Sequence, residues 1–232
     1  MGAKIYQNKK YIAFFLIPAF VFMLIFLYYP FIQNIINSFQ HIKYMGTAAD
    51  KWNAPFYKNY LEIFKDPKML IALKNTGIMI IATIVGEVGL AIVLSLLVSN
   101  IKKGAGFFRV VYFFPIVISA TALGLLFNLV FLYDKGMINQ LLQLIGVLDA
   151  GKNELIDWKA TYPMFTMLVP VIWQYVGFYF IILLTGLSGI PEDLYEAAEI
   201  DGASKLQQVR YVTLPLLRNS ICTCVVLAVT GA

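Results

Sequence analysis

The residues of this chain best suited to specific contacts form one polar segment, which runs from Glu196 to Gly202 and continues to Val212–Pro215. It lies between two strongly apolar runs late in the sequence. Acidic side chains offer polar contacts, while alanines and a glycine permit close approach to another surface. We interpret the segment as an element that docks on a partner protein. A plain surface loop at the membrane interface is the alternative interpretation.

Local signals predict two short helices in this segment. Pro191 stands where a first helical position is expected, and two acidic residues follow it in the first turn, where they favour the helix dipole. Gly202 interrupts the helical pattern, and a second helix is predicted from about residue 203 to 211. Pro215 then sets the turn into the next apolar run. The first helix has a small apolar strip at i, i+3 and i+4, formed by Leu194, Ala197 and Ala198.

A second set of candidates lies within apolar runs and could line the path of a polar solute. Glu87 is the only charge between Lys74 and Lys102, and a charge near the centre of a span costs about 2.5–3.5 kcal/mol on insertion scales. It either contacts a solute or a partner subunit, or is a protonated acid bonded to a neighbouring helix. The other candidates offer amide groups and aromatic faces, although Trp and Tyr are also common at membrane interfaces: Asn128, Trp173, Gln174 and Tyr175.

The composition places these residues in a membrane protein. Hydrophobic residues make up 60% of the 232 residues and charged residues only 13%, with a mean hydropathy of +0.75. A helix needs about 20 apolar residues to cross the hydrocarbon core. We therefore predict an all-α, multi-pass helical bundle with about five spans, at residues 11–32, 72–100, 108–132, 162–187 and 216–232.

The two ends of the chain and its loops predict its orientation. The first apolar run is too long for a cleaved signal peptide, and we expect residues 1–10 to be cytoplasmic. A raw count of basic residues is a tie between the two sides, at nine each. Basic residues in short loops count for more, and the short basic segments are those with Lys4, Lys9, Lys10, Lys102, Lys103 and Arg109. This criterion also places the loop 188–215 inside. Because the last apolar run has no polar flank, we expect the chain to be a fragment of a longer protein.

Several other functions are disfavoured by the sequence. The two cysteines, Cys222 and Cys224, lie within the last apolar run and do not make a disulfide framework or a zinc site. No GxxxxGK[ST] pattern is present, so no nucleotide site is expected. The net charge of +5 suits anionic lipid headgroups, and no stripe typical of nucleic-acid binding is seen.

The polar segment resembles a known motif. Glu196-Ala197-Ala198, three residues, Gly202, nine residues, Val212, one residue and Leu214-Pro215 resemble the EAA motif of the membrane subunits of ATP-binding-cassette (ABC) importers. The longer stretch 190–203 is similar to the carbohydrate branch of that family. The likeness extends over nearly the whole chain, through Pro18, Tyr28-Tyr29-Pro30, Ser38-Phe39, Asn59-Tyr60, Ala72–Thr76, Phe107-Phe108-Arg109, Phe114-Pro115, Ser119 and Gly136–Asn139. It departs from the family's usual residues at Ser188, Leu206, Val209 and Val212.

The resemblance implies the fold of a type I ABC importer permease, a maltose- or glycerol-phosphate-type first subunit that is not itself an enzyme. Its partners would be a second permease, a cytoplasmic ATPase dimer that binds ATP and Mg, and an extracellular solute-binding protein. The loop would be the coupling helix pair. Glu196 would contact the ATPase, Gly202 would form the bend and Leu214-Pro215 the hinge, with Ala197, Ala198 and Asp201 completing the coupling residues.

A sugar importer has three alternatives: an importer of another solute, a different class of transporter and a membrane scaffold. The solute could be another small polar molecule, such as a glycerol phosphate, carried by the same class of importer. A stand-alone secondary transporter would instead show inverted repeats or a titratable relay. The sequence has one carboxylate within a span and no evident repeat, and a membrane scaffold would leave the EAA-like loop unexplained.

Overall fold

The computed structural model describes residues 9–44, 46–101, 104–149 and 154–231. Lys4, Lys102 and Lys103, on which the predicted orientation partly rests, lie outside these ranges, as does most of the predicted cytoplasmic segment 1–10. The chain divides into two units, residues 1–72 and 73–232. Each is described by itself.

The first unit contains one long apolar helix and a small polar cap. The helix is continuous from Lys10 to Ser38 and so extends beyond the predicted end at residue 32. The cap joins the end of the helix to a two-stranded antiparallel hairpin and a short helix, because the Asn59 amide donates to the carbonyls of Ser38 (2.9 Å) and Gln40 (3.0 Å). The elements are α1 (Lys9–Met23), a π-helical turn (Leu24–Tyr28), α2 (Tyr29–Ser38), β1 (Gln40–His41), β2 (Lys51–Trp52) and α3 (Lys58–Lys65).

The regular elements of the second unit, among its described residues, are all helices. Its first helix begins at Pro67, shortly before the unit boundary. The elements are α4 (Pro67–Thr83), a π-helical turn (Ile84–Gly89), α5 (Leu90–Ser99), α6 (Ala105–Phe113), a 3-10 turn (Phe114–Val117), α7 (Ala120–Val130), α8 (Met137–Leu144), α9 (Trp158–Thr161), α10 (Pro163–Ser188), α11 (Glu192–Ile200), α12 (Lys205–Gln208), a second π-helical turn (Val209–Thr213), α13 (Leu214–Leu216) and α14 (Arg218–Gly231).

Three helices are long and apolar enough to cross a membrane: Lys10–Ser38, Pro67–Ser99 and Pro163–Ser188. The other two predicted spans are bent. Residues Ala105–Val117 and Ala120–Val130 meet at 97°, and Lys205–Leu216 and Arg218–Gly231 meet at 68°. The described residues therefore contain three continuous spans, or up to five if each bent pair counts as one.

The bend divides the predicted span 108–132 near Pro115, a residue type that marks a kink or a helix start within a span. Pro115 has no N–H to continue the α-helical ladder, and it lies in the 3-10 turn that ends α6. Ser119 then starts a new helix, since its Oγ accepts a hydrogen bond from the Ala122 N–H at 3.3 Å. The last predicted span, 216–232, likewise begins at Arg218 in the structure.

Close helix packing holds the second unit together around α10. A Cβ atom at Gly177 of α10 would lie 1.7 Å from the carbonyl oxygen of Tyr112 in α6, so only glycine fits there. Ala91 of α5 is fully buried. Small residues let helix backbones approach in a membrane, where van der Waals packing replaces the hydrophobic effect. Buried residues of α5, α10 and α14, with one residue of the first π-helical turn and one between α13 and α14, form one cluster: Val88, Ala91, Val98, Tyr179, Phe180, Leu183, Leu184, Leu187, Leu217, Cys224 and Ala228.

Candidate functional site

The polar loop begins with a helix that its own sequence initiates. Pro191 is the N-cap residue, in extended conformation, and α11 starts at Glu192. The predicted first helical position is thus one residue later than expected. Glu192 and Asp193 occupy the first turn, where their charges favour the helix dipole, as predicted.

The end of α11 is built around Gly202, whose φ is +78°. The Gly202 N–H donates to the Glu199 carbonyl at 3.0 Å, and the Ala203 N–H donates to the Ala198 carbonyl at 2.9 Å. These two bonds form a Schellman motif, which requires the left-handed conformation that glycine adopts without strain. The bend predicted at Gly202 is confirmed.

The second part of the loop starts immediately with a new cap. Ser204 and Gln207 form a capping box, in which the Ser204 N–H donates to Gln207 Oε1 at 2.7 Å. The predicted helix over 203–211 is in the structure a short α-helix, Lys205–Gln208, followed by the π-helical turn Val209–Thr213. Each segment of the loop therefore has its own local hydrogen bonds.

A contact between two hydroxyl groups joins α11 to the π-helical turn in the second half of the loop. The Tyr195 hydroxyl of α11 lies 3.1 Å from the Thr213 hydroxyl, which is buried in the π-helical turn. Thr213 precedes Leu214-Pro215, and the chain then bends by 68° into α14. The contact therefore lies directly before the bend, between α11 and the start of α14. Leu217 fixes the bend, since it is buried in the helix cluster.

The outward surface of the loop is both polar and apolar. Glu196, Ala197 and Asp201 are exposed, and of the predicted apolar strip only Ala198 is half-buried. The most exposed apolar side chains flank the Gly202 corner instead: Ile200 is 86% exposed and Leu206 79% exposed. Ile200 was not among the residues predicted for this surface, and Leu206 was named only as a departure from the family's usual residues. Large apolar residues on both sides of a glycine in a polar loop were the available signal.

An ion pair joins the two halves of the loop at its surface. The Lys205 ammonium forms an ion pair with Glu199. This hydrogen bond to Lys205 lowers the pKa of the Glu199 carboxyl below its ordinary value. A cleft of about 860 Å³ lies between the loop and the ends of α5, α6 and α10. Glu192, Glu196, Glu199, Arg109 and Lys205 provide its charged groups.

Glu87 lies in the helix interface and not in a cavity. It is buried within the π-helical turn Ile84–Gly89, which packs against α10 and α14. The Tyr179 phenol of α10 is a polar neighbour of its carboxyl group. Glu87 lines neither the cleft between the loop and the helix ends nor the apolar cavity beside Trp173. Of the two predicted interpretations, this geometry favours a carboxyl bonded to a neighbouring helix.

The other candidate path residues are spread over different surroundings. Asn128 accepts a hydrogen bond from Lys159. Gln174 donates to the Ile118 carbonyl at 3.1 Å, which satisfies the backbone at the break between α6 and α7. Trp173 packs edge-on against Phe127, lining an apolar cavity of about 570 Å³, and Tyr175 is partly exposed. The structure does not bring the five predicted residues into one cavity.

No cluster of metal-ligating side chains occurs among the described residues.

Comparisons with known proteins identify relatives over nearly the whole chain. Residues 88–232 match the family described as the binding-protein-dependent transport system inner membrane component. The chain is 35% identical to the probable ABC transporter permease protein YurN of Bacillus subtilis, over 97% of this chain and 76% of that protein. It is 33% identical to the arabinooligosaccharides transport system permease protein of Halalkalibacterium halodurans, over 92% of this chain and 65% of that protein.

A further relative is the multiple sugar-binding transport system permease protein of Streptococcus mutans, 32% identical over 95% of this chain and 73% of that protein. The chain thus spans between 65% and 76% of the length of these three relatives.

Solved structures confirm the predicted all-α, multi-pass fold. The chain matches a bacterial ABC transporter involved in the import of the acidic polysaccharide alginate, with a TM-score of 0.78 and 21% identity, over 97% of this chain and 74% of that chain. A structure of a bacterial alginate ABC transporter in complex with an alginate pentasaccharide-bound periplasmic protein gives a TM-score of 0.79 at 21% identity, over 97% and 73% of the two chains. At this identity the likeness establishes the fold alone.

Proposed function

This chain belongs to the family of binding-protein-dependent transport system inner membrane components, and from that premise we propose the step it performs. It is a permease subunit of an ABC importer. It moves a sugar or oligosaccharide across the cytoplasmic membrane after an extracellular binding protein delivers it. ATP and Mg are bound by a separate ATPase dimer, and a second permease completes the path.

The observation that supports this proposal best is the construction of the loop 188–215. Ile200 and Leu206 expose large apolar side chains at a corner that is fixed by the Schellman motif and the capping box. Exposed apolar groups on a rigid corner bind a partner with little loss of conformational entropy. Glu196 and Asp201 add exposed polar contacts beside them. A cleft on the cytoplasmic ATPase is the partner surface that we propose for this corner.

The loop is also built to pass movement on to the spans. The Tyr195–Thr213 contact couples α11 to the residues before Leu214-Pro215. From there the chain bends into α14, which packs against the π-helical turn Ile84–Gly89 and against α10. Closure of the two ATPases would push α11, and the hinge would tilt α14 against those two helices. This tilt is the proposed switch between inward- and outward-facing states.

A sugar is the substrate class supported by the relatives. The named relatives include arabinooligosaccharide and multiple-sugar permeases, and a lactose transport system permease protein of Rhizobium radiobacter is 28% identical. For this chain we propose Asn128, Trp173, Gln174 and Tyr175 as path residues that would turn toward the solute in another state of the cycle. Glu87 would support the helix interface. A glycerol phosphate or similar polar solute is the second candidate.

The proposed orientation places the N-terminus and the loop 188–215 in the cytoplasm. The segment 134–159 then lies outside, where a solute-binding protein approaches. This arrangement puts Arg109 and the five acidic residues of the loop on the same side as the ATPase.

Co-purification from detergent-solubilised membranes tests the proposal. The native gene is tagged and compared with Gly202→Asp and Gly202→Asn. A side chain at this position meets no atom of the chain within 4 Å, and both Asn and Asp tolerate the left-handed conformation. The two variants therefore differ mainly in a charge at the docking corner. We expect an ATPase and a second permease to elute with the wild-type chain, and Gly202→Asp to lose the ATPase alone.

Two results would contradict the proposal. A wild-type chain that elutes folded but without an ATPase would favour a stand-alone transporter. Equal retention of the ATPase by Gly202→Asp would remove the Gly202 corner from the docking surface. Uptake of labelled arabinooligosaccharides, lactose and glycerol phosphate by cells that express the complete transporter then separates the substrate classes.

A further inference from the structure

Helix α8 (Met137–Leu144) exposes an apolar face that the transport mechanism does not use. The side chains on this face point away from the rest of the second unit, and Leu144 is 83% exposed. On a helical wheel they occupy one continuous arc, because their spacing is i, i+4, i+7 and i+8. The face consists of Met137, Leu141, Leu144 and Ile145, and Val147 continues it beyond the end of the helix.

The opposite face of α8 is fixed to the protein by one buried amide. Asn139 is 1% exposed, and its Nδ2 donates to the carbonyls of Tyr133 (3.1 Å) and Ile156 (3.0 Å). Its Oδ1 accepts a hydrogen bond from the Trp158 indole N–H at 2.8 Å. Three bonds to one side chain set the rotation of α8 about its axis. The apolar arc is therefore held outward by the fold.

The contact with Trp158 also sets the depth of α8 in the membrane. Trp158 lies immediately before the span Pro163–Ser188, and its ring packs near those of Tyr162 and Phe165. Trp and Tyr at the end of a span mark the membrane–water interface. Because α8 is bonded to Trp158, it lies at the level of this interface.

The composition of the segment matches a lipid surface better than a protein surface. No charged residue occurs from Gly136 to Leu148, whereas Asp134, Lys135 and Asp149 stand on either side of it. A reversible protein interface carries a polar rim, and the exposed arc has only Gln140 at its edge. An amphipathic helix at this depth buries its apolar face at the boundary between headgroups and acyl chains.

We propose that α8 is an interfacial helix whose Met137–Leu141–Leu144–Ile145 face lies in the lipid leaflet on the side of Trp158. The occupant of this face is the bilayer itself. The Asn139–Trp158 hydrogen bond holds the helix flat against the membrane surface and so anchors the end of α10 at a constant depth. This role does not depend on which solute is carried.

Site-directed spin labelling of the complete transporter in phosphatidylcholine–phosphatidylglycerol vesicles tests the proposal. Cys222 and Cys224 are first replaced by alanine, and single cysteines are introduced as Leu144→Cys and, as a matched control outside the arc, Asp134→Cys. Collision of the spin label with oxygen, which concentrates in lipid, is compared with collision with a water-soluble nickel complex. We expect the oxygen-to-nickel ratio at position 144 to exceed that at position 134 several-fold.

Two outcomes at position 144 would overturn the proposal. High accessibility to the nickel complex would place the face in water. Low accessibility to both reagents would show that a protein covers it, either the binding protein or the second permease. Because the Leu144 side chain is 83% exposed, its replacement by cysteine is compatible with the fold. Retention of the partner subunits by Leu144→Cys shows that the labelled transporter is intact. The oxygen-to-nickel ratio at position 144 reports the surroundings of the label and does not depend on whether the labelled transporter takes up solute.

Discussion

Gly177 and Gly202 are both positions where the second unit needs glycine, but for different physical reasons. At Gly177 the backbone of α10 lies so close to α6 that a Cβ atom would fall 1.7 Å from the Tyr112 carbonyl oxygen. At Gly202 the space around the residue is open, and the requirement comes from its φ of +78°. The first glycine serves packing between distant segments, and the second serves the conformation of one turn.

This difference distinguishes the helix bundle from the coupling loop. The bundle is held by contacts between helices far apart in sequence, such as α5, α6 and α14 against α10. The loop is held by hydrogen bonds between near neighbours, such as Ala203 to Ala198. A loop stabilised locally can keep its shape while it moves as a unit. We therefore expect substitutions in the two regions to affect different measurements.

The largest effect is expected from Gly177→Ala. The added methyl group meets backbone atoms, which cannot rotate away, so α6 and α10 must separate. Overpacking of this kind costs about 1–3 kcal/mol, and we expect the upper end of that range. The measurement is the melting temperature of the purified transporter. Gly106→Ala in α6 is the matched control, because its Cβ meets nothing within 4 Å, and it should melt like the wild type.

Asn139→Leu extends the comparison to a polar contact between distant segments. It leaves the Trp158 N–H and the carbonyls of Tyr133 and Ile156 without their partner. An unsatisfied buried group costs about 1–3 kcal/mol, so the melting temperature should fall. Gln140→Leu removes one bond at an exposed position and should change it little. Equal effects of the two substitutions would show that the Asn139 contacts do not fix α8.

Gly202→Val should separate activity from stability. A β-branched residue in the left-handed region costs about 1–2 kcal/mol, and this strain is confined to the corner between α11 and α12. We expect uptake and ATPase retention to fall sharply, and the melting temperature to fall less than in Gly177→Ala. Gly202→Asn, which tolerates this conformation, should retain most uptake. A fall in melting temperature as large as that of Gly177→Ala would contradict the proposed independence of the two regions.

The smallest effect is expected from the Glu199–Lys205 pair. The hydrogen bond to Lys205 lowers the pKa of the Glu199 carboxyl below its ordinary value of 4.5. Any stabilisation of the fold by this pair is therefore fully present above pH 4.5, and it is lost as the pH falls through the lowered pKa. Because both side chains lie at the surface, solvent screens the pair. Lys205→Gln should therefore leave the melting temperature unchanged at neutral pH. A measurable drop would show that the pair is shielded in the assembled transporter.

Local sequence predicted the loop better than the bundle. Gly202, the acidic first turn of α11 and the short second helix follow from turn and cap preferences, which act over a few residues. The 97° bend near Pro115 and the burial of Glu87 against Tyr179 depend on which helices meet. Hydropathy alone does not distinguish the run around Pro115 from an unbroken span, and Pro115 indicates a kink or helix start but not its angle. The short-range pattern pointed to the alanines, so it did not predict the exposure of Ile200 and identified Leu206 only as a departure from the family's usual residues.

The surroundings of the path residues also depend on contacts between distant helices. Trp173, Gln174 and Tyr175 are consecutive, but consecutive residues on a helix point about 100° apart, so a shared cavity could not follow from their adjacency. Gln174 instead satisfies the Ile118 carbonyl at the α6–α7 break, a contact that no local pattern encodes.

Photo-crosslinking from position 200 tests directly whether the coupling loop docks on the ATPase. Ile200 is replaced by a benzophenone amino acid in the complete transporter, since its side chain is 86% exposed at the corner of the coupling loop. The account predicts a crosslink to the ATPase subunit, with a yield that changes between the ATP-bound and nucleotide-free states. Crosslinks to lipid or to this chain alone, in a transporter that still takes up its solute, would contradict the docking of the loop on the ATPase.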